Sequence, residues 1–350
     1  MLDNIRRQEI IFHLSQWIQI IRVGEEGKKL VLEGSLLPGS TLGEIEQNSV
    51  GIVRSIRLVN TPDYMRFYIR PYTRPALPWI NLGLLLATIV TTLFAGALME
   101  GANPLEQPVK LLKGIPFSLT LMLILGVHEL GHFLTARKHQ VDATLPYFIP
   151  APTFIGTFGA FIKMRSPVRQ RRALIEIGAA GPFAGFIVAL PALFIGLYFS
   201  KIVPTAGTAG LHLGDSLLMK IASALIFPGL TDEQDILLHP VGFAAWIGLL
   251  VTMLNLLPIG QLDGGHIAFA LLNKYYQPIA YSAIGGAILL SYFSRSLNWL
   301  VWVTLVFFLV KVKHPPVYDL ETPLTWREKL IGIGALVIFV LTFVPVPFRI

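Results

Sequence analysis

From residue 78 onward the apolar positions fall in long runs, whereas before it they are spaced and interrupted by charge. The runs cover about 78–99, 115–136, 173–199, 240–257, 278–294, 297–312 and 328–346. Each is near the roughly 20 residues that cross a hydrocarbon layer about 30 Å thick. The stretch DSLLMKIASALIF at 215–227 is amphipathic and is predicted to lie along an interface. In the first part, Ile10, Ile11, Leu14, Trp17, Ile18 and Ile21 recur at helical spacing and predict one amphipathic helix. LVLEGSLLPGS and VGIVRSIRLVN alternate between turn residues and predict strands. The predicted architecture is an α-helical polytopic membrane protein of about seven transmembrane helices, residues 77–350, preceded by a small N-terminal α/β module, residues 1–76. MLDNIRRQEI has no apolar run after its basic pair and does not read as a signal peptide.

Composition strengthens this picture. Hydrophobic residues make up 53% of the chain and charged residues 14%. A soluble surface needs about a quarter charged, so the lipid bilayer is a partner. The net charge of +7 is best read through the loops, because no basic run with interleaved aromatics suggests a nucleic acid. Arg66, Arg70, Arg74, Arg137, Lys138, Lys163, Arg165, Arg169, Arg171, Arg172, Lys274, Lys311, Lys313, Arg327 and Lys329 collect in loops on one side. The 201–239 loop on the other side carries Asp215, Asp232, Glu233 and Asp235. The positive-inside bias places the N-terminal module and the 137–172 and 258–276 loops in the cytoplasm, and with seven spans the C-terminus outside. The chain has no cysteine. That excludes disulfides and Cys-type zinc fingers, and leaves His, Asp and Glu for any metal.

One predicted span contains HELGH, residues 128–132. His128 and His132 are four apart on a helix, so they share a face and can grip one Zn²⁺, with Glu129 beside them as a general base. Two histidines satisfied by backbone or water are the ordinary alternative. Within a span that alternative is weak, because an ionisable group at the bilayer centre costs about 2.5–3.5 kcal/mol or more. A hydrolytic zinc needs a third protein ligand and an open position. NLLPIGQLDGGH at 255–266 offers two candidates, Asp263 and His266. Asp263 is favoured because carboxylate commonly completes such a set, and Gly264 and Gly265 permit a tight path beside it.

HELGH in one span followed by N-x-x-P and L-D-G-G in another resembles the site-2 protease family of intramembrane zinc metalloproteases. The resemblance covers about 115–275, the family's catalytic core, and comes closest to its cyanobacterial and chloroplast EGY-like branch. It implies Zn²⁺ on His128, His132 and Asp263, water activation by Glu129, and stabilisation of the scissile carbonyl oxygen by Asn255. The family often has a second proline where Gly260 stands here. PAPTFIGTFGAFIKM at 150–164 resembles a β-type loop beside the active site. Its prolines and glycines oppose a helix, and Thr153, Phe154, Ile155, Thr157, Phe158, Phe161 and Ile162 favour extended chain. This predicts a strand that receives an unwound substrate at Ile155, Gly156, Thr157, Phe158 and Gly159. GAAGPFAGF at 178–186 resembles the family's small-residue motif, for which close helix packing is the simple explanation.

The implied activity is hydrolysis of peptide bonds in membrane-spanning or membrane-anchored proteins, within regulated intramembrane proteolysis. The implied location is a prokaryotic cell membrane or a thylakoid or chloroplast membrane. Two other classes compete: a metal transporter and a catalytically inactive homologue. Glu129 between two ligands fits a base better than a pore, and retention of His128, Glu129, His132 and Asp263 together argues against inactivity.

Overall fold

A computed structural model describes residues 4–27, 29–49, 52–71, 78–166, 168, 170–205, 212–231, 233–309 and 322–349. The expected boundary at 76/77 and the loop residues Arg74, Arg169, Asp232, Lys311 and Lys313 lie outside the described residues. The chain forms two compact units, residues 1–78 and 79–350.

The first unit runs α1 (Asn4–Leu14), β1 (Ile18–Glu26), β2 (Lys29–Leu36), α2 (Leu42–Asn48), β3 (Val53–Asn60) and β4 (Met65–Pro71). The strands form one antiparallel sheet in the order β1-β2-β4-β3. Alternation sets which face is buried. Leu30 pairs with Ile69 and Leu32 with Phe67, and all four are fully buried with Ile10, Leu14, Ile18 and Ile45. Glu33 stands opposite Arg66 on the other face, and the two form an ion pair at 2.7 Å. The single helix expected through Ile21 is corrected: α1 stops at Leu14, and Ile18 begins β1 opposite Leu36. The β-branched run Ile18–Val23 suits a pleated surface better than a helix.

The second unit is mainly helical: α3 (Trp79–Met99), α4 (Ile115–Lys138), α5 (Arg171–Tyr198), α6 (Leu217–Ile226), α7 (Pro240–Asn255), α8 (Asp263–Leu272), α9 (Tyr276–Ser294), α10 (Asn298–Leu309) and α11 (Trp326–Thr342). Short strands interrupt it: β5 (Tyr147–Pro150) with β6 (Thr157–Phe161), β7 (Lys201–Pro204) with β9 (Gln234–Leu237), and β8 (His212–Leu213) with β10 (Phe348–Arg349). Each of the seven apolar runs is mainly helical among the described residues, and residues 310–312 of the run at 297–312 lie outside them. Among the described residues, three helical segments are long and apolar enough to cross a membrane: Trp79–Met99, Pro108–Lys138 and Arg171–Tyr198. The amphipathic stretch at 215–227 is α6, which buries Leu218, Met219 and Ala222.

The exposed face of α4 is an apolar stripe of Leu119, Leu123, Leu130 and Leu134, while its buried face holds His128, Glu129 and His132. A helix that turns its leucines outward and its ionisable groups inward is built for lipid, not water. α4, α5 and α7 pack together behind that face. α7 is only 16 residues long and buries nearly all of its surface, including Trp246, Ile247 and Met253.

Residues 150–164, expected as one extended segment, are instead most of a β-hairpin. Tyr147 pairs with Phe161, Phe148 with Ala160 and Pro150 with Thr157. The turn between the strands holds Ile155 and Gly156. The hairpin lies along α3: Asn81 Nδ2 donates to the carbonyls of Leu145 and Pro146, both at 2.9 Å, and Thr91 Oγ1 donates to that of Gly156 at 2.6 Å. Asn81 and Thr91 are separated by about 15 Å of helix, so the hairpin runs along about that length of α3.

Candidate metal centre

α4 delivers His128 and His132 on one face, one helical turn apart. The ring of His132 is fixed first. Its Nδ1 lies 2.7 Å from the carbonyl oxygen of Ile177 in α5. A carbonyl can only accept, so Nδ1 carries the proton and the Nε2 lone pair faces the opposite way. That lone pair points at Nε2 of His128, 3.2 Å off. Asn255, the last residue of α7, turns its side-chain amide Nδ2 toward the same His128 Nε2 at 3.4 Å.

Asp263 completes the triangle. It is the first residue of α8, where the positive end of the helix dipole favours a carboxylate. Its Oδ2 lies 3.3 Å from His128 Nε2 and 3.2 Å from His132 Nε2. That oxygen is buried and has no hydrogen-bond partner. Glycine follows at 264 because the chain folds back on itself there: a Cβ would fall 1.9 Å from the carbonyl oxygen of Leu256. His266, the rival third ligand, is buried farther along α8 and does not join the group of His128, His132 and Asp263.

Three electron-rich atoms about one contact distance apart repel one another unless a cation or a proton lies among them. Their separations of 3.2–3.3 Å suit zinc. Ligands at about 2.0–2.1 Å in a tetrahedron stand roughly 3.3 Å apart. Two imidazoles and one carboxylate leave a fourth position free. Glu129 is buried at 5% exposure beside them, with the backbone N–H of Ile162, just past β6, turned to its carboxylate.

The helix α5 contributes more than its sequence suggested. Its backbone lies so close to α4 that a Cβ on Gly181 would sit 2.0 Å from His132 Nε2, and one on Gly185 would sit 3.1 Å from His128 Nδ1. The small-residue motif therefore walls the metal centre, in addition to packing helices. The Ile177 carbonyl has no signal in the sequence, because any residue supplies one. The GAAGPFAG spacing was the available clue to the glycines.

The departure at Gly260 has a backbone cause. Gly260 has φ +56°, in the left-handed region. Proline is locked near φ −65° and could not hold this turn. The predicted substrate residues divide. Gly156 and Thr157 are buried, and the Thr157 hydroxyl donates to the Ile149 carbonyl at 2.8 Å. Phe158 is exposed on β6, with Gly159 beside it.

Residues 116–293 match peptidase family M50. A probable zinc metalloprotease EGY2, chloroplastic, of Arabidopsis thaliana is 32% identical over 293 residues, which cover 80% of this chain and 51% of that protein. A probable zinc metalloprotease EGY1, chloroplastic, of the same plant is 32% identical over 246 residues, 66% of this chain and 43% of that protein. A probable zinc metalloprotease EGY3, chloroplastic, of Oryza sativa subsp. indica is 25% identical over 335 residues, 87% of this chain and 55% of that protein. The chain spans about half the length of the curated relatives it matches. No solved structure matches it.

Proposed function

The chain belongs to peptidase family M50, and from that premise we propose that it is an intramembrane zinc metalloprotease acting on membrane-spanning or membrane-anchored proteins. The observation that carries the reading is the convergence of His128, His132 and Asp263 on the buried side of a helix whose other side is leucine. These three residues would hold the zinc. When bound, zinc supplies an acidified water and polarises the scissile carbonyl. Glu129 takes the proton of the attacking water on its carboxylate and returns it to the leaving amine. Asn255 Nδ2 donates to the oxygen that becomes negative during attack. The Ile177 carbonyl keeps the His132 proton on Nδ1, so Nε2 stays available.

A substrate helix hides its carbonyls in its own hydrogen bonds and must unwind to be cut. The hairpin offers a receiving edge at Thr157–Phe161, next to the Ile162 amide that faces Glu129. Of the substrate positions expected from sequence, Thr157, Phe158 and Gly159 lie on this edge. Ile155 and Gly156 shape the turn that leads into it.

The test is direct. The purified protein in vesicles should cut a membrane-spanning peptide, stop on removal of zinc by a chelator and resume when zinc is restored. Cutting that ignores the chelator would end the proposal, and zinc flux without cutting would favour a transporter. In the same assay, prolines placed singly along Thr157–Phe161 should stop cutting only where the lost N–H faces away from β5, with zinc retained.

Seven spans, with the N-terminal module, the 137–172 loop and the 258–276 loop in the cytoplasm, are part of this reading. The membrane is that of a prokaryotic cell, thylakoid or chloroplast. Supporting it, Arg171 at the end of one loop bonds the carbonyl of Leu271 at the end of the other at 3.2 Å. In this cysteine-free chain, single cysteines report sidedness. Ser166→Cys and Lys274→Cys should label from the cytoplasm and Glu233→Cys from outside. Labelling of 166 and 233 from one side would refute the arrangement.

A further inference from the structure

We infer that Arg171 is a positioning residue for the metal centre, acting through Asp263. This rests on the reading of Asp263 as a zinc ligand. α8 is ten residues long, with Asp263 at its first position. A helix this short is marginal alone, and the last four carbonyls of any helix lack partners within it. Arg171, the first residue of α5, supplies two of those partners. Its Nε donates to the carbonyl of Ala270 and its Nη2 donates to that of Leu271 at 3.2 Å. A guanidinium at a helix C-terminus also meets the negative end of the dipole. The chain then leaves α8 through Asn273 at φ +43° into a single 3-10 turn, Asn273–Tyr275, so α8 is not continued as an α-helix.

α5 is the helix that also orients His132, through the Ile177 carbonyl, and it touches α8 at Gly178, where a Cβ would lie 3.1 Å from the Asp263 carbonyl oxygen. Arg171 therefore fastens the helix bearing the carboxylate to the helix that aims the imidazole. Without it, α8 can slide on α5, and Asp263 Oδ2 loses its place 3.2 Å from His132 Nε2. Arg172, the next residue, does something different. It pairs with Glu176 of α5 at 2.8 Å and Glu328 of α11 at 3.2 Å rather than with the α8 carbonyls.

The experiment measures zinc affinity of the purified full-length protein by competition with a chromophoric chelator. Arg171→Ala should weaken zinc by about 10–100-fold, the usual effect of losing a group that orients a ligand. Arg172→Ala, which removes the same charge, should leave affinity near wild type. In an Asp263→Ala background Arg171→Ala should add almost nothing, because the two act as one unit. Arg171→Lys keeps the charge but not the fork of donors, and should show a smaller, measurable loss if the alanine variant does not accumulate. The inference is overturned if Arg171→Ala binds zinc as tightly as Arg172→Ala, or if its effect is undiminished without Asp263. Full zinc affinity in Asp263→Ala alone would instead overturn the ligand assignment on which it rests.

Discussion

Gly181→Ala should strip zinc from the protein and abolish cleavage while leaving a folded chain. The added methyl would sit 2.0 Å from His132 Nε2 and 2.4 Å from Cδ2. Either the imidazole or a helix must move. The ring is not free, since Nδ1 is bonded to the Ile177 carbonyl at 2.7 Å, four residues earlier on the same helix as the intruding methyl. Helix α5 is not free either, because its backbone already abuts Gly131 of α4, where a Cβ would meet the Ala180 carbonyl oxygen at 2.6 Å. The ring turns, its lone pair leaves the centre, and zinc affinity falls by at least about 100-fold, the upper end of effects on ligand orientation. Gly185→Ala is the graded control: its methyl meets His128 Nδ1 at 3.1 Å, which a small shift relieves. Zinc content and thermal unfolding of both variants check this. Wild-type zinc in Gly181→Ala would mean that His132 does not point where the structure has it.

Glu129→Gln is the complementary case, with zinc kept and chemistry lost. Glutamine has the shape of glutamate and can still accept from the Ile162 N–H, but it cannot take a proton from water. Cleavage should fall by about 10²–10⁴, the usual worth of a positioned acid–base group. Zinc content should stay at the wild-type level, because Glu129 is not among the three converging donors. Single-turnover cleavage beside metal analysis separates the two effects. Unchanged turnover would remove Glu129 from the mechanism. Loss of zinc would make it a ligand.

These two variants divide along what the sequence makes legible. Glu129, His128 and His132 sit within five residues, and their chemistry follows from helical spacing. The helices were legible for a similar reason. The run expected at 115–136 is α4 at Ile115–Lys138, and that at 328–346 is α11 at Trp326–Thr342, because an apolar stretch reports its own extent. Contacts made across the chain leave no such trace. Met65–Pro71 is a central strand, and its partners Leu30–Gly34 and Val53–Asn60 come from elsewhere in the sequence. The two strands of the hairpin are not separable in the sequence, because the stretch 153–162 is rich in extended-prone residues and only the pairing shows where the chain turns back. Asp263 could be chosen over His266 on ligand preference alone. The Ile177 carbonyl, the nearness of Gly181 and the Arg171 clamp depend on how α5 lies against α4 and α8, which no local pattern encodes.

The most direct test of the whole account is zinc per chain in purified wild-type, Asp263→Ala and His266→Ala protein, measured by elemental analysis. Wild-type protein should carry about one zinc, as a single three-ligand site requires. That zinc should be lost in Asp263→Ala and retained in His266→Ala. Full zinc in Asp263→Ala with loss in His266→Ala would contradict the assignment of Asp263.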